Sequence, residues 1–271
     1  MATISVLQSN PDALLGTPRA HALDRWIFVL MALWFIALAL AGFIPDSLMK
    51  IEMVRMGIRP PFPLVLHMHA VLMGAFLLFL LSQTWLVATG RCELHRRLGP
   101  IGGLLAIALL IVGFVLAPTM YHQVRDGLSL APPEAQGAVQ ALISQLENIL
   151  FLQIQAGILF ALFIAIGLSY RSRDPGFHKR MMMLAPAMVM GAAFARMPWL
   201  PHTIPESPVS ILAYQWLALA PLFLWDVIRN RRVHRAYFVL LAAYVPFNLF
   251  AITAWGTPWW HSFAQRVMGV A

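Results

Sequence analysis

Hydrophobic positions in this chain run in long unbroken stretches, not in an alternating or half-polar pattern. Between charged residues lie seven such stretches, at 26–45, 60–90, 98–125, 148–170, 181–195, 207–225 and 236–265. The third ends on Arg125 itself. A helix needs about 20 mostly apolar residues to cross a bilayer, and six stretches reach or nearly reach that length. The fifth is short. Lys179, Arg180 and Arg196 flank it, and long basic side chains at such positions can reach back to the interface. Segments such as 26–44 are apolar on every face, whereas a barrel strand alternates over roughly ten residues. Backbone groups in lipid must also pair internally. The pattern therefore predicts an all-α polytopic membrane bundle of about seven helices.

The domain plan follows: a polar tail over 1–25, one membrane domain over 26–265 and a short tail over 266–271. Polar connections are expected at 46–59 and 122–147. In the second, Pro132-Pro133 followed by 134–147 reads as a short amphipathic helix on the membrane surface. Pro198, Pro201, Pro205 and Pro208 predict an irregular loop. Pro186, Pro221 and Pro246 predict kinks within spans.

Composition supports the pattern. Of 271 residues, 60% are hydrophobic and 11% charged, against about 25% charged in a soluble domain. The net charge of +8 would suit nucleic acid, but the positions of the basic residues point elsewhere. Thirteen of the 19 Lys and Arg fall in the N-terminal tail and three connections, around Arg91–Arg97, Arg171–Arg180 and Arg229–Arg235. Six (Lys50, Arg55, Arg59, Arg125, Arg196 and Arg266) fall in the alternate set. By the positive-inside rule this expects a cytoplasmic N-terminus and a C-terminus outside. A single cysteine, Cys92, excludes an internal disulfide and a thiolate cluster. Residues 1–25 lack the apolar core of a signal peptide, and the first stretch is too long for one, so it reads as a retained anchor.

The polar positions inside this frame are few. His67-Met68-His69 lies near the outer end of the second stretch, where ionisable groups are costly and functional by default. Topology places His122, Gln153, Gln155, Arg196, His202 and His261 at the same level. A haem b reading takes His69 and His122 as axial ligands, with Arg196 facing a propionate and Gln153 nearby. A copper, iron or zinc reading takes three or four of His67, His69, His122, His202 and His261. The plain alternative is that these histidines bond to backbone, lipid and water. At the inner side, Gln83, Glu93, His95, His178, Asp226 and His234 form a second cluster, able to hold another cofactor, relay protons or anchor headgroups. Asp226 is explained there by an i,i+3 pair with Arg229. A weak repeat, Leu94-His95-Arg96-Arg97, Phe177-His178-Lys179-Arg180 and Val233-His234-Arg235, suggests three helical hairpins after a lone first helix. Trp255, Trp259 and Trp260 fit an interfacial belt. Gln215 and Asn248 read as glue between helices. The methionines at 181–183 read as gap fillers.

Several of these motifs resemble a group of uncharacterised bacterial multi-span membrane proteins of the domain-of-unknown-function class. They are His69-Ala70, Gln83, Leu86-Val87-Ala88-Thr89-Gly90-Arg91, Leu94-His95-Arg96-Arg97-Leu98-Gly99, His178-Lys179-Arg180-Met181-Met182, Ala193-Phe194-Ala195-Arg196, and Asp226 with His234-Arg235. The resemblance covers roughly 63–261 and implies a bacterial cytoplasmic membrane protein without implying an activity. Histidines near helix ends are also similar, in architecture, to cytochrome-b-like bundles, although two histidines on each of two facing helices are lacking. The sequence thus leaves three functions open. The first is a redox or cofactor-binding protein exchanging electrons with quinone or a protein complex. The second is a transporter or lipid-binding protein, and the third an assembly subunit. No catalytic residue is assigned.

Overall fold

A computed structural model of the chain describes residues 14–270. The first thirteen residues of the expected tail, and Ala271, lie outside the described residues. The described chain is an all-α bundle: α1 Ala22–Arg55, α2 Leu64–Ala88, α3 Cys92–Leu128, α4 Pro133–Ser169, α5 Pro175–Val189, α6 Gly191–Phe194, α7 Val209–Asn230, α8 Arg235–Ala254 and α9 Pro258–Val267. Six of these (α1, α2, α3, α4, α7 and α8) are long and apolar enough to cross a membrane. The chain is an integral membrane protein.

The short fifth stretch is the centre of the bundle. Ten of the fifteen residues of α5 are buried, and it packs against α1, α4, α7 and α8. At 1.5 Å per residue it is only about 22 Å long. It then breaks at Met190 into the single turn of α6. Such a break is tolerated at membrane depth only where protein surrounds it. Small residues provide that closeness. A Cβ on Gly42 of α1 would lie 2.3 Å from the carbonyl oxygen of Ala193, and one on Gly191 would lie 2.9 Å from Ile211. The methionines Met181, Met183 and Met188 fill this core with almost no exposure.

Arg180 does not reach an interface as its position suggests. It is fully buried, as is Asp226. Arg180 Nε donates to Asp226 Oδ2 at 2.7 Å and Nη2 to Oδ1 at 2.6 Å. Tyr237 donates to the same carboxylate at 2.6 Å. Asp226 is therefore not the partner of Arg229, which pairs instead with Asp24 of α1 at 2.6 Å. Turning inward gives Arg180 a bidentate acceptor inside the bundle.

Three further expectations are corrected. The connections expected at 46–59 and 122–147 are largely helical: α1 continues to Arg55 through Pro45, and α3 runs to Leu128. Pro132-Pro133 does not open a surface helix. Pro133 stands at the first position of the 37-residue α4, where its missing N–H costs nothing. The last stretch is two helices rather than one span. Gly256 turns the chain at φ +71°, and Thr257 accepts from Trp260 N at 3.2 Å to start α9.

That fold-back is secured by one carboxylate. Glu147 of α4 is buried and accepts from Tyr121 at 2.8 Å, Gln265 at 3.0 Å and His261 Nδ1 at 2.6 Å. Trp260 is not part of an interfacial belt but buried, its indole donating to the Glu147 carbonyl at 2.8 Å. The expected glue is present: Gln155 donates to Asn248 at 2.7 Å, and Gln215 donates to Met188 O at 2.5 Å and meets Tyr244. Of the three expected hairpins, α2–α3 and α4–α5 pack closely. In the third, α8 leans on α4 and α5 and meets α7 through large rings, Phe223 with Tyr237 and Trp216 with Tyr244.

Candidate functional site

Two ends of the bundle can be named by their residues. The basic end carries the connections at 89–91, 170–174 and 231–234. The opposite end carries Asp46, His69, Arg196 and α9.

At the opposite end, the histidines singled out by sequence disperse. His122 Nε2 donates to Met268 O at 2.8 Å, His202 Nε2 to Met197 O at 3.0 Å, and His261 is held by Glu147. A carbonyl can only accept, so these ring nitrogens carry protons and serve the local fold. His67 is exposed and meets Phe62 edge-on. Gln153 is exposed on α4, while Gln155, two residues on, is the buried one. Among the described residues, no three His, Cys, Asp or Glu gather as a metal-ligand set. His69 and Arg196 do come within electrostatic range of each other. Gly113 of α3 faces the His69 ring, which would lie 3.8 Å from a Cβ there. Asp46 joins them, accepting from Arg196 at 3.2 Å and Lys50 at 2.7 Å. Burial draws the Arg196 guanidinium below its ordinary pKa, opposed by the charge and hydrogen bond of Asp46.

At the basic end, the repeat unites two of its three histidines. His95 opens α3, His178 opens α5, and their ring centres lie 6.5 Å apart with planes at 72°. His178 Nδ1 donates to Gly167 O of α4 at 2.7 Å. A neutral imidazole fixed in this way keeps Nε2 as a free lone pair, the usual orientation of a metal-ligating histidine. Gly167 is what permits the approach, since a Cβ there would lie 2.3 Å from Met182 Cε and 2.9 Å from Met181 Cβ. The third histidine, His234, stacks on Phe177 and caps α8 by accepting from Ala236 N.

Buried polar atoms without partners concentrate here. Eight such side-chain atoms occur among the described residues, and three are in this cluster: both amide atoms of Gln83 and Nδ1 of His95. His95 also lies against the Gln83 backbone. An unpaired buried polar group costs about 1–3 kcal/mol, and in lipid no water relieves it. On the His95 face of α3, Gly99 looks onto open space and Gly103 onto Leu168 alone, 4.0 Å from a Cβ position. Glycines at i+4 and i+8 allow a flat group to lie close to the helix backbone.

His95, His178 and Gln83 belong to the inner polar cluster of the sequence, although the outer histidines stand out more. The available signal was that His95 and His178 occupy equivalent places in the repeat. No family model, curated protein or solved structure matches this chain.

Proposed function

We propose that the chain is a membrane-embedded redox carrier for one haem b at the basic end, which His95 of α3 and His178 of α5 would ligate. The separation of the two rings carries this reading. The ring centres, 6.5 Å apart, leave room for one metal that both imidazoles would hold with bonds of about 2.0–2.1 Å. A tetrahedral site would draw the rings nearer. His178 is oriented as a ligand by Gly167 O, and Gly99 leaves the α3 backbone open to a flat group. Arg96 stands within electrostatic range of His95, and Arg171 and Lys179 within range of His178, cations suited to two propionates. Gln83 supplies both a donor and an acceptor beside the group. Bound haem would supply a one-electron couple whose potential two imidazoles and a buried setting tune. Quinone and other membrane proteins are the fitting electron partners.

The test is spectroscopic. Protein expressed with a haem precursor and purified in detergent is expected to show a Soret band and about one haem per chain. The band should be lost in His95→Ala and His178→Ala and kept in His122→Ala and His261→Ala. Absence of a Soret band overturns the proposal. So does a band that survives His95→Ala and His178→Ala but vanishes in His69→Ala.

A further inference from the structure

A second group of unpaired polar atoms lies at the opposite end, independent of the haem reading. Asp46 Oδ2 accepts from both Lys50 Nζ and Arg196 Nε, at 2.7 and 3.2 Å. Arg59 stands within electrostatic range of Lys50, as does Arg196. Two cations thus share one carboxylate at the rim of an apolar bundle, a third, Arg59, stands within electrostatic range of Lys50, and the His69 ring stands within range of Arg196.

The cations are held in place rather than trailing into solvent. Arg196 lies 4.6 Å over the Phe43 ring, and its Nη1 donates to Ala192 O at 2.6 Å. Arg59 lies 5.1 Å over Phe62. The loop carrying Arg59 turns at Gly57, φ +71°. The amides of Ile58 and Arg59 both bond Met53 O, and Gln123 of α3 grips Pro61 O at 2.9 Å. Within this fixed frame Arg59 Nε and His69 Nδ1 are buried without partners.

A cluster with excess positive charge and unused N–H donors fits a tetrahedral oxyanion, which accepts several charge-assisted hydrogen bonds at once. We infer that Lys50, Arg59, Arg196 and His69 form a binding site for a phosphate group. The group comes either from a phospholipid headgroup at the membrane surface or from a soluble phosphate. Its charge offsets the surplus that Asp46 leaves, and its oxygens occupy the unpaired donors.

Thermal unfolding of the full chain in a neutral detergent separates the sources. Phosphatidylglycerol, diacylglycerol, inorganic phosphate and chloride at matched ionic strength are the probes. A rise in Tm of several degrees with phosphatidylglycerol but not diacylglycerol or inorganic phosphate assigns a headgroup. A rise with inorganic phosphate over chloride assigns a soluble ligand. Either rise should disappear in Arg59→Gln and in Lys50→Gln, and persist in Arg232→Gln at the basic end. No rise with either phosphate probe overturns the inference, and so does a rise unchanged by Arg59→Gln and Lys50→Gln.

Discussion

Arg180 and Asp226 form a bidentate ion pair in which neither side chain has any exposure. It ties α5, the innermost helix, to α7, and Tyr237 brings in α8. Removing one member of such a pair strands the other charge, at about 3–5 kcal/mol. Asp226→Ala and Arg180→Ala are each expected to lower stability by that amount in denaturant titration of the detergent-solubilised protein. The double variant Arg180→Met with Asp226→Leu should lose less than the two single changes summed.

The two glycines near His178 and His95 should respond in opposite ways. Gly167→Val forces a branched side chain into Met181 and Met182, and overpacking of this kind costs about 1–3 kcal/mol. Gly99→Ala meets nothing, and alanine is favoured over glycine in a helix by up to about 1 kcal/mol. It should melt no lower than the wild type. Gly99→Leu should retain the fold but reduce haem content, measured by the ratio of Soret to protein absorbance.

Glu147 anchors α9 through His261 and Gln265 and ties it to α3 through Tyr121. Glu147→Ala leaves those donors without their acceptor, at about 1–3 kcal/mol for each buried group. The expected readout is local: amide exchange in α9 should accelerate markedly, with α5 unchanged. Glu147→Gln, which keeps an acceptor oxygen, should show a smaller effect.

Gln155 and Asn248 join α4 to α8. Hydrogen bonds between membrane helices average about 0.6 kcal/mol in double-mutant cycles. A cycle built from Gln155→Leu and Asn248→Leu should give a coupling of about that size, read from unfolding midpoints. A coupling near zero would mean that packing alone joins these helices.

Much of the fold is legible in the sequence because the membrane imposes a simple rule. A span must be apolar all round, so α1 to α4, α7 and α8 announce themselves as uncharged runs. The helix ends are less legible, since α1 and α3 continue past their charged residues, whose side chains pair within the same helix or with the chain just beyond α6 and α9. Gly256, Thr257 and Pro258 do carry a local signal for the final turn, but uninterrupted apolarity over 236–265 masks it. Arg180 is hidden for another reason: its partner lies 46 residues away, and no local pattern tells a buried basic residue from an interfacial one. The candidate site is legible in part. Topology puts His69 and Arg196 at one level, and the two lie within electrostatic range. It cannot foresee that His122 and His202 bind carbonyls, because that depends on where irregular backbone passes.

The Glu147 latch bears on how the protein enters its membrane. His261 and Gln265 lie 114 and 118 residues further along the chain than the carboxylate they bind. As α4 leaves the ribosome, Glu147 therefore travels without two of its partners. An ionised carboxylate is poorly tolerated in hydrocarbon, so this turn of α4 must wait at the water boundary until α7, α8 and α9 follow. Closure of that end is thus a late assembly event, and a chain stalled before residue 258 would present the translocation machinery with an acidic, half-docked helix.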